Sequence, residues 1–299
     1  MALDNPAFNR PAFQDPKSAT ATRGGAQSGQ MSDPYYASQA SAQQTAQIDG
    51  LYATPPAGSI DTDRMTVEDT VWKTVGLFAA LLVTAVVGWV WTLSTVMTEG
   101  APNMTPWLIG MIGGFVLAMV NIFKKQPSVP LIVLYAAFQG LFVGGISAYF
   151  EFMYSGIVMQ ATLATVAVVG VTLALFASGK VRASKKATKI FMIAMIGYAV
   201  FSLLNLILMW TNVIPAGMMF GLHSAPSILF GIPWGVIIGV FVVIMAAYSL
   251  VLDFDMVQQG VRNGAPRKMG WTAAFGIMVT VIWLYVEILR ILAILRGNN

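Results

Sequence analysis

Residues 247–260, AYSLVLDFDMVQQG, residues 261–269, VRNGAPRKM, and residues 270–296, GWTAAFGIMVTVIWLYVEILRILAILR, read as two apolar runs joined by a short basic loop. Three carboxylates break the pattern: Asp253 and Asp255 end the first run, and Glu287 lies inside the second. Crossing about 30 Å of hydrocarbon takes about 20 apolar residues, which the second run supplies. An acid at the centre of such a helix costs roughly 2.5 to 3.5 kcal/mol, so one kept there is a functional candidate. The stretch therefore predicts a hairpin of membrane helices built around acids.

Composition supports the bilayer as the solvent. Of 299 residues, 57% are hydrophobic and 10% charged, against about 25% charged in soluble domains. The net charge of +4 is divided among short loops between apolar runs, which excludes a nucleic-acid surface and makes the cations topology signals. With no cysteine, disulfides, thiolate metal sites and cysteine nucleophiles are excluded. The first residues lack a basic-then-apolar signal sequence, so the first membrane helix is expected to direct insertion.

Seven apolar runs are expected to form an all-α domain over 66–299, near 72–94, 106–123, 128–150, 157–177, 190–211, 229–252 and 272–295. Thr66 is the expected N-cap of the first, with Asp69 three residues on. The loops alternate in charge. Arg64 and Lys73 are placed before the first run, Lys124 and Lys125 follow the second, Lys180, Arg182, Lys185, Lys186 and Lys189 follow the fourth, and Arg262, Arg267 and Lys268 follow the sixth. The intervening loops carry Glu99, Glu151 and His223. The positive-inside rule then places the N-terminus in the cytoplasm, with Arg290 and Arg296 discordant near the outer end. Trp89, Trp91, Trp107, Trp210, Trp234 and Trp271 fall near run ends as interfacial anchors. Glycines recur at close spacings (Gly110, Gly113, Gly114; Gly140, Gly144, Gly145; Gly231, Gly235, Gly239), which predicts close helix packing. Residues 1–65, rich in Ala, Gln, Ser, Gly, Pro and Thr, read as a disordered cytoplasmic tail. Within it Pro6-Ala7-Phe8, Pro11-Ala12-Phe13 and Tyr35-Tyr36 are candidate docking motifs.

Enzymatic chemistry finds no support. His223 is the lone histidine and no HExxH occurs, which argues against a metalloprotease. No spacing brings a serine to His223, and no lysine follows Lys268 to form a retinal Schiff base. Gln139, Gln160, Asn121 and Asn205 are expected to hydrogen-bond between helices. For the acids two readings stand. Asp253 and Asp255 point about 200° apart on a helix, so one at most faces a given neighbour. If Asp255 meets Glu287, the pair shares a proton as a titratable latch and, deprotonated, offers hard oxygen ligands to Ca²⁺. Alternatively Glu287 pairs with Arg290 at i+3, and Asp253 and Asp255 are solvated at the cytoplasmic end. Glu287 lies sixteen residues past Trp271, about 24 Å along a helix, so meeting Asp255 requires the last helix to begin in the cytoplasm.

The seven-run pattern, the segment PLIVLYAAFQGLFVGG at 130–145, the ending YSLVLDFDMVQQ at 248–259 and LYVEILRILAILR at 284–296 resemble the Bax inhibitor / YccA-like family, the transmembrane Bax inhibitor motif proteins. The resemblance runs from about residue 70 to the end. It implies a pH-sensitive calcium leak in a bacterial plasma membrane, controlled by one aspartate in each of the last two helices. Asp255 matches the first of these, and Glu287 falls where the second is expected, a methylene longer. In some members an arginine near the end of the second helix latches onto the sixth-helix acid. Lys124 or Lys125 occupies that region here, without the bidentate fork. The competing expectation is a regulator without transport that binds a membrane protease or cell-death machinery, the tail docking a membrane protein partner.

Overall fold

The computed structural model describes residues 63–124, 126–211, 213–214, 220–225 and 232–297. The tail motifs, Lys125 and Gly231 lie outside the described residues, as does all of the tail before residue 63. Among the described residues, seven helices are long and apolar enough to cross a membrane. They are α1 (Val67–Leu93), α2 (Thr105–Phe123), α3 (Val129–Met153), α4 (Ile157–Ala177), α5 (Lys185–Trp210), α6 (Trp234–Arg262) and α7 (Met269–Gly297). A single turn, Val96–Glu99, extends α1.

The ends follow local chemistry. Thr66 caps α1, its side chain accepting from Asp69 N at 3.2 Å, and Ser184 does the same for α5 through Ala187 N. The α3–α4 turn is closed by Glu151, whose carboxylate accepts from Gly156 N at 2.5 Å and Val158 N at 3.0 Å. An acid at that N-terminus offsets the positive end of α4. Lys73 belongs to α1 itself and is 9% exposed. It pairs with Asp69 and donates to Arg267 O at 2.7 Å, while Arg267 reaches Asp69 through Nε at 3.1 Å and Nη2 at 2.9 Å. That cluster ties the start of α1 to the α6–α7 loop, so both lie on one side of the bundle, as the charge alternation requires. On the opposite side Arg296 Nη1 donates to Ser155 O at 2.6 Å, joining the end of α7 to the α3–α4 turn.

Glycine sets the closest approach. A Cβ at Gly144 of α3 would lie 2.7 Å from the Ala85 carbonyl carbon and 2.8 Å from its Cα, so α1 and α3 touch backbone to backbone. The small-residue stripe is thereby used inside the chain. α7 forms the centre, burying Ala274, Met278, Leu284 and Leu289 against α1, α3, α4 and α6. Peripheral α5 buries only Asn205 among its residues.

Candidate functional site

The polar residues of interest lie along the seam between α6 and α7. These helices run antiparallel from the loop at 263–268, where Gly264 takes φ +61° and Ala265 N donates to Gly260 O at 2.9 Å. Asp253 lies nine residues before Arg262, about 14 Å along α6, and Thr280 lies eleven residues past Met269, about 16 Å along α7. The two therefore meet at one depth. Thr280 Oγ1 donates to Asp253 Oδ2 at 2.7 Å, and Ser249 Oγ lies 3.4 Å from Thr280 Oγ1. Gly276, one turn before Thr280, leaves room for the carboxylate; a Cβ there would lie 3.3 Å from Asp253 Oδ1. Among the described residues, no lysine, arginine or histidine pairs with Asp253.

Asp255 points the other way, as its 100° per residue rotation dictates. It accepts from Gln259 Nε2 at 2.6 Å, one turn further along its own helix. The expected pairing of Asp255 with Glu287 is not formed. Glu287 is eighteen residues into α7, about 27 Å, and Asp255 only seven residues, about 11 Å, from the end of α6, so roughly 16 Å of depth separates them. Together they offer no calcium ligand set. Among the described residues, no cluster of three or more His, Asp or Glu able to hold a metal occurs.

Glu287 is 4% exposed and is held by Arg290, its i+3 neighbour, and by Tyr198 of α5, whose hydroxyl donates to Oε2 at 3.2 Å. The alternative reading of an internal ion pair describes it. Arg290, discordant for topology, is thus neutralised within the bundle. Asp253, expected to be solvated under that same reading, is instead turned inward. Lys124, exposed at the end of α2, has no acid partner among the described residues, so the second-helix latch is not formed through it.

A further polar centre lies toward the opposite side. Asn205 accepts from Leu222 N at 2.8 Å, donates to Phe220 O at 3.2 Å, and places Nδ2 3.4 Å from His223 Nδ1. It ties α5 to the helical turn Gly221–Ser224. His223 is 3% exposed, its ring 5.0 Å from that of Phe201. Burial, together with the Arg290 charge, pushes its pKa down to about 4 against a smaller upward pull from Phe220. Here Asn205 meets the expectation that it bonds between elements.

Sequence reasoning missed Thr280, Ser249 and Tyr198. The available signal was Gly276 and Thr280, a small residue and a hydroxyl four apart on one face of α7. Hydroxyls standing opposite a carboxylate can give it a proton-donating neighbour or complete a partial oxygen site for a hard cation.

A family model described as Bax inhibitor 1 like matches residues 5–297, so the likeness begins in the tail and not near residue 70. No curated protein matches the chain.

Proposed function

Because the chain belongs to the Bax inhibitor 1 like family, we propose that this multi-pass membrane protein is a cation leak, with Ca²⁺ as its ion, whose flux is set by protonation of Asp253. The observation that carries the reading is an acid inside a membrane helix that faces a hydroxyl and, among the described residues, no cation. An ionised carboxylate at that depth is costly unless something neutralises it. Glu287 is neutralised by Arg290; among the described residues Asp253 has only Thr280, with Ser249 beyond, so its charge is left for a proton or a passing cation. Asp253, Thr280 and Ser249 bring four side-chain oxygens, fewer than the six to eight that Ca²⁺ takes when held, which favours transit over storage.

The reading moves the sensor from an acid pair to a single acid. Ca²⁺ entry into proteoliposomes holding the full chain, titrated from about pH 5 to 8, tests it with Asp253→Asn beside Asp255→Asn. Flux that is pH-dependent in the parent and in Asp255→Asn but flat in Asp253→Asn is expected. No flux above empty vesicles at any pH would remove the leak, and an unaltered profile in Asp253→Asn would remove its sensor.

A further inference from the structure

Between α1 and α4 the bundle opens to the bilayer. Two adjoining cavities of about 790 and 560 Å³ share Phe78, Leu82, Thr165, Val166 and Val281, which makes them one slot floored by α7. Along α1 the slot runs from Val67 to Trp89, about 33 Å of helix. Most of its hydroxyls are spent elsewhere, Thr162 being the exception. Thr74 Oγ1 donates to Thr70 O at 2.8 Å, Thr165 Oγ1 to Ala161 O at 2.7 Å, and Ser147 and Tyr285 bond each other at 2.6 Å. The wall left is apolar apart from Thr162, so water gains little there and a hydrocarbon chain fits.

The mouth on the basic side is different. Phe176 and Gln258, both part of the lining, hold Arg182: its Cζ lies 4.5 Å from the Phe176 ring centre, and its Nη1 donates to Gln258 Oε1 at 2.7 Å. The stacked guanidinium is fixed in place while Arg182 stays exposed, with further N–H groups to offer. From Lys180 to Lys189 the connection carries five cations and no acid. Phosphate oxygens are what such a fork recognises, and cations beside a membrane surface favour anionic headgroups.

We infer that the α1–α4 slot binds an anionic phospholipid from the leaflet on the basic side, an acyl chain lying between the helices and the phosphate resting on Arg182. The inference does not depend on the leak. It gives the basic loop a role beyond orientation, because one cation there continues an apolar slot. The lipid would also wedge α1 from α4 directly over Ile277 and Val281, residues that flank Thr280 on α7.

The probe is phosphatidylglycerol against phosphatidylcholine of the same acyl chains, added to the purified full chain. Retained lipid is counted by native mass spectrometry and unfolding midpoints are measured in parallel. About fivefold preferential retention of one phosphatidylglycerol is expected, the order that one headgroup contact with a surface cation supplies. The preference should vanish in Arg182→Gln. Gly170→Leu should also abolish it, because Gly170 lines the slot and a Cβ there meets nothing within 4 Å, so the new side chain fills lipid space without a clash. Gly197→Leu, in equally open surroundings on α5, is the control for folding and should retain the lipid as the parent does. Equal retention of the two lipids, or an unchanged preference in Arg182→Gln, would overturn the proposal. So would efficient disulfide dimers of Gly170→Cys in native membranes, since the chain has no other cysteine and a second copy would then cover the slot.

Discussion

Replacing Arg290 by methionine should strand a carboxylate inside the bundle. Glu287 is 4% exposed, so its carboxylate cannot turn to bulk water without moving α7, whereas the Arg290 side chain is 15% exposed. Breaking such a pair from one side costs about 3 to 5 kcal/mol. The Tyr198 hydroxyl still donates to Glu287 at 3.2 Å, and a hydrogen bond to a charged group offsets part of the loss, which puts Arg290→Met near the lower limit, about 3 kcal/mol. The scaling for domains of 150 to 250 residues converts this to a fall of roughly 6 to 12 °C in the unfolding midpoint. Glu287→Gln should cost less, about 1 to 2 kcal/mol, because Arg290 is nearer the far end of α7 and its long stem lets the charge reach the interface. The double variant buries no charge, keeps the Tyr198 contact, and should recover to within about 1 kcal/mol of the parent. Thermal unfolding of the four proteins in one detergent measures the cycle. A shift under about 2 °C for Arg290→Met, or a double variant no better than that single one, would refute the argument that Glu287 is a structural ion-pair partner.

Other consequences are open to direct measurement. His223, with a folded pKa near 4 against 6.5 when unfolded, binds fewer protons folded than unfolded; its contribution is fully present above pH 6.5 and is lost as pH falls toward 4. That loss is about 3 kcal/mol at roughly 1.4 kcal/mol per unit, and His223→Gln should flatten the midpoint over the same range. Gly144→Leu should force α1 from α3 and cost about 3 kcal/mol or more, whereas Gly76→Leu, with nothing within 4 Å, should be tolerated. Thr280→Asp should place a second carboxylate against Asp253 and split the pH profile of flux into two steps. Deleting residues 1–62 should leave Ca²⁺ flux intact; its loss would favour the regulatory reading in which the tail is essential.

The membrane helices were legible in the sequence because apolar length is a local property, and the loop cations predicted which ends lie together. The structure carries the sixth helix well past its expected end at 252, to Arg262, so that Asp253 sits well inside α6. The ion pair of Glu287 was legible as one of two readings, since i+3 spacing needs no tertiary information. Choosing between Asp253 and Asp255 was not possible from spacing alone. Their opposed directions allow at most one of them to face α7, and which one depends on how the two helices are rotated about the loop. The matched motif favoured Asp255, and helix rotation puts Asp253 on the seam. Contacts across long separations, such as Asp69 with Arg267 or Asn205 with His223, leave no periodic trace at all.

The seam has two polar tiers with different electrostatic consequences. At the deeper tier Glu287 and Arg290 cancel, so the tier presents a dipole whose net charge is zero. At the other, Asp253 faces a hydroxyl that serves either protonation state: Thr280 donates to the ionised carboxylate, and once the acid carries a proton the same oxygen can accept it. Exchange between those states needs only rotation of a hydroxyl, with Ser249 3.4 Å away to receive the released O–H. A pair of acids would share one proton and keep a charge through the middle of its titration. A single acid against hydroxyls instead changes the seam by a whole charge, with no intermediate. The pH response of such a leak is that of one proton, and its steepness separates this arrangement from a two-carboxylate latch.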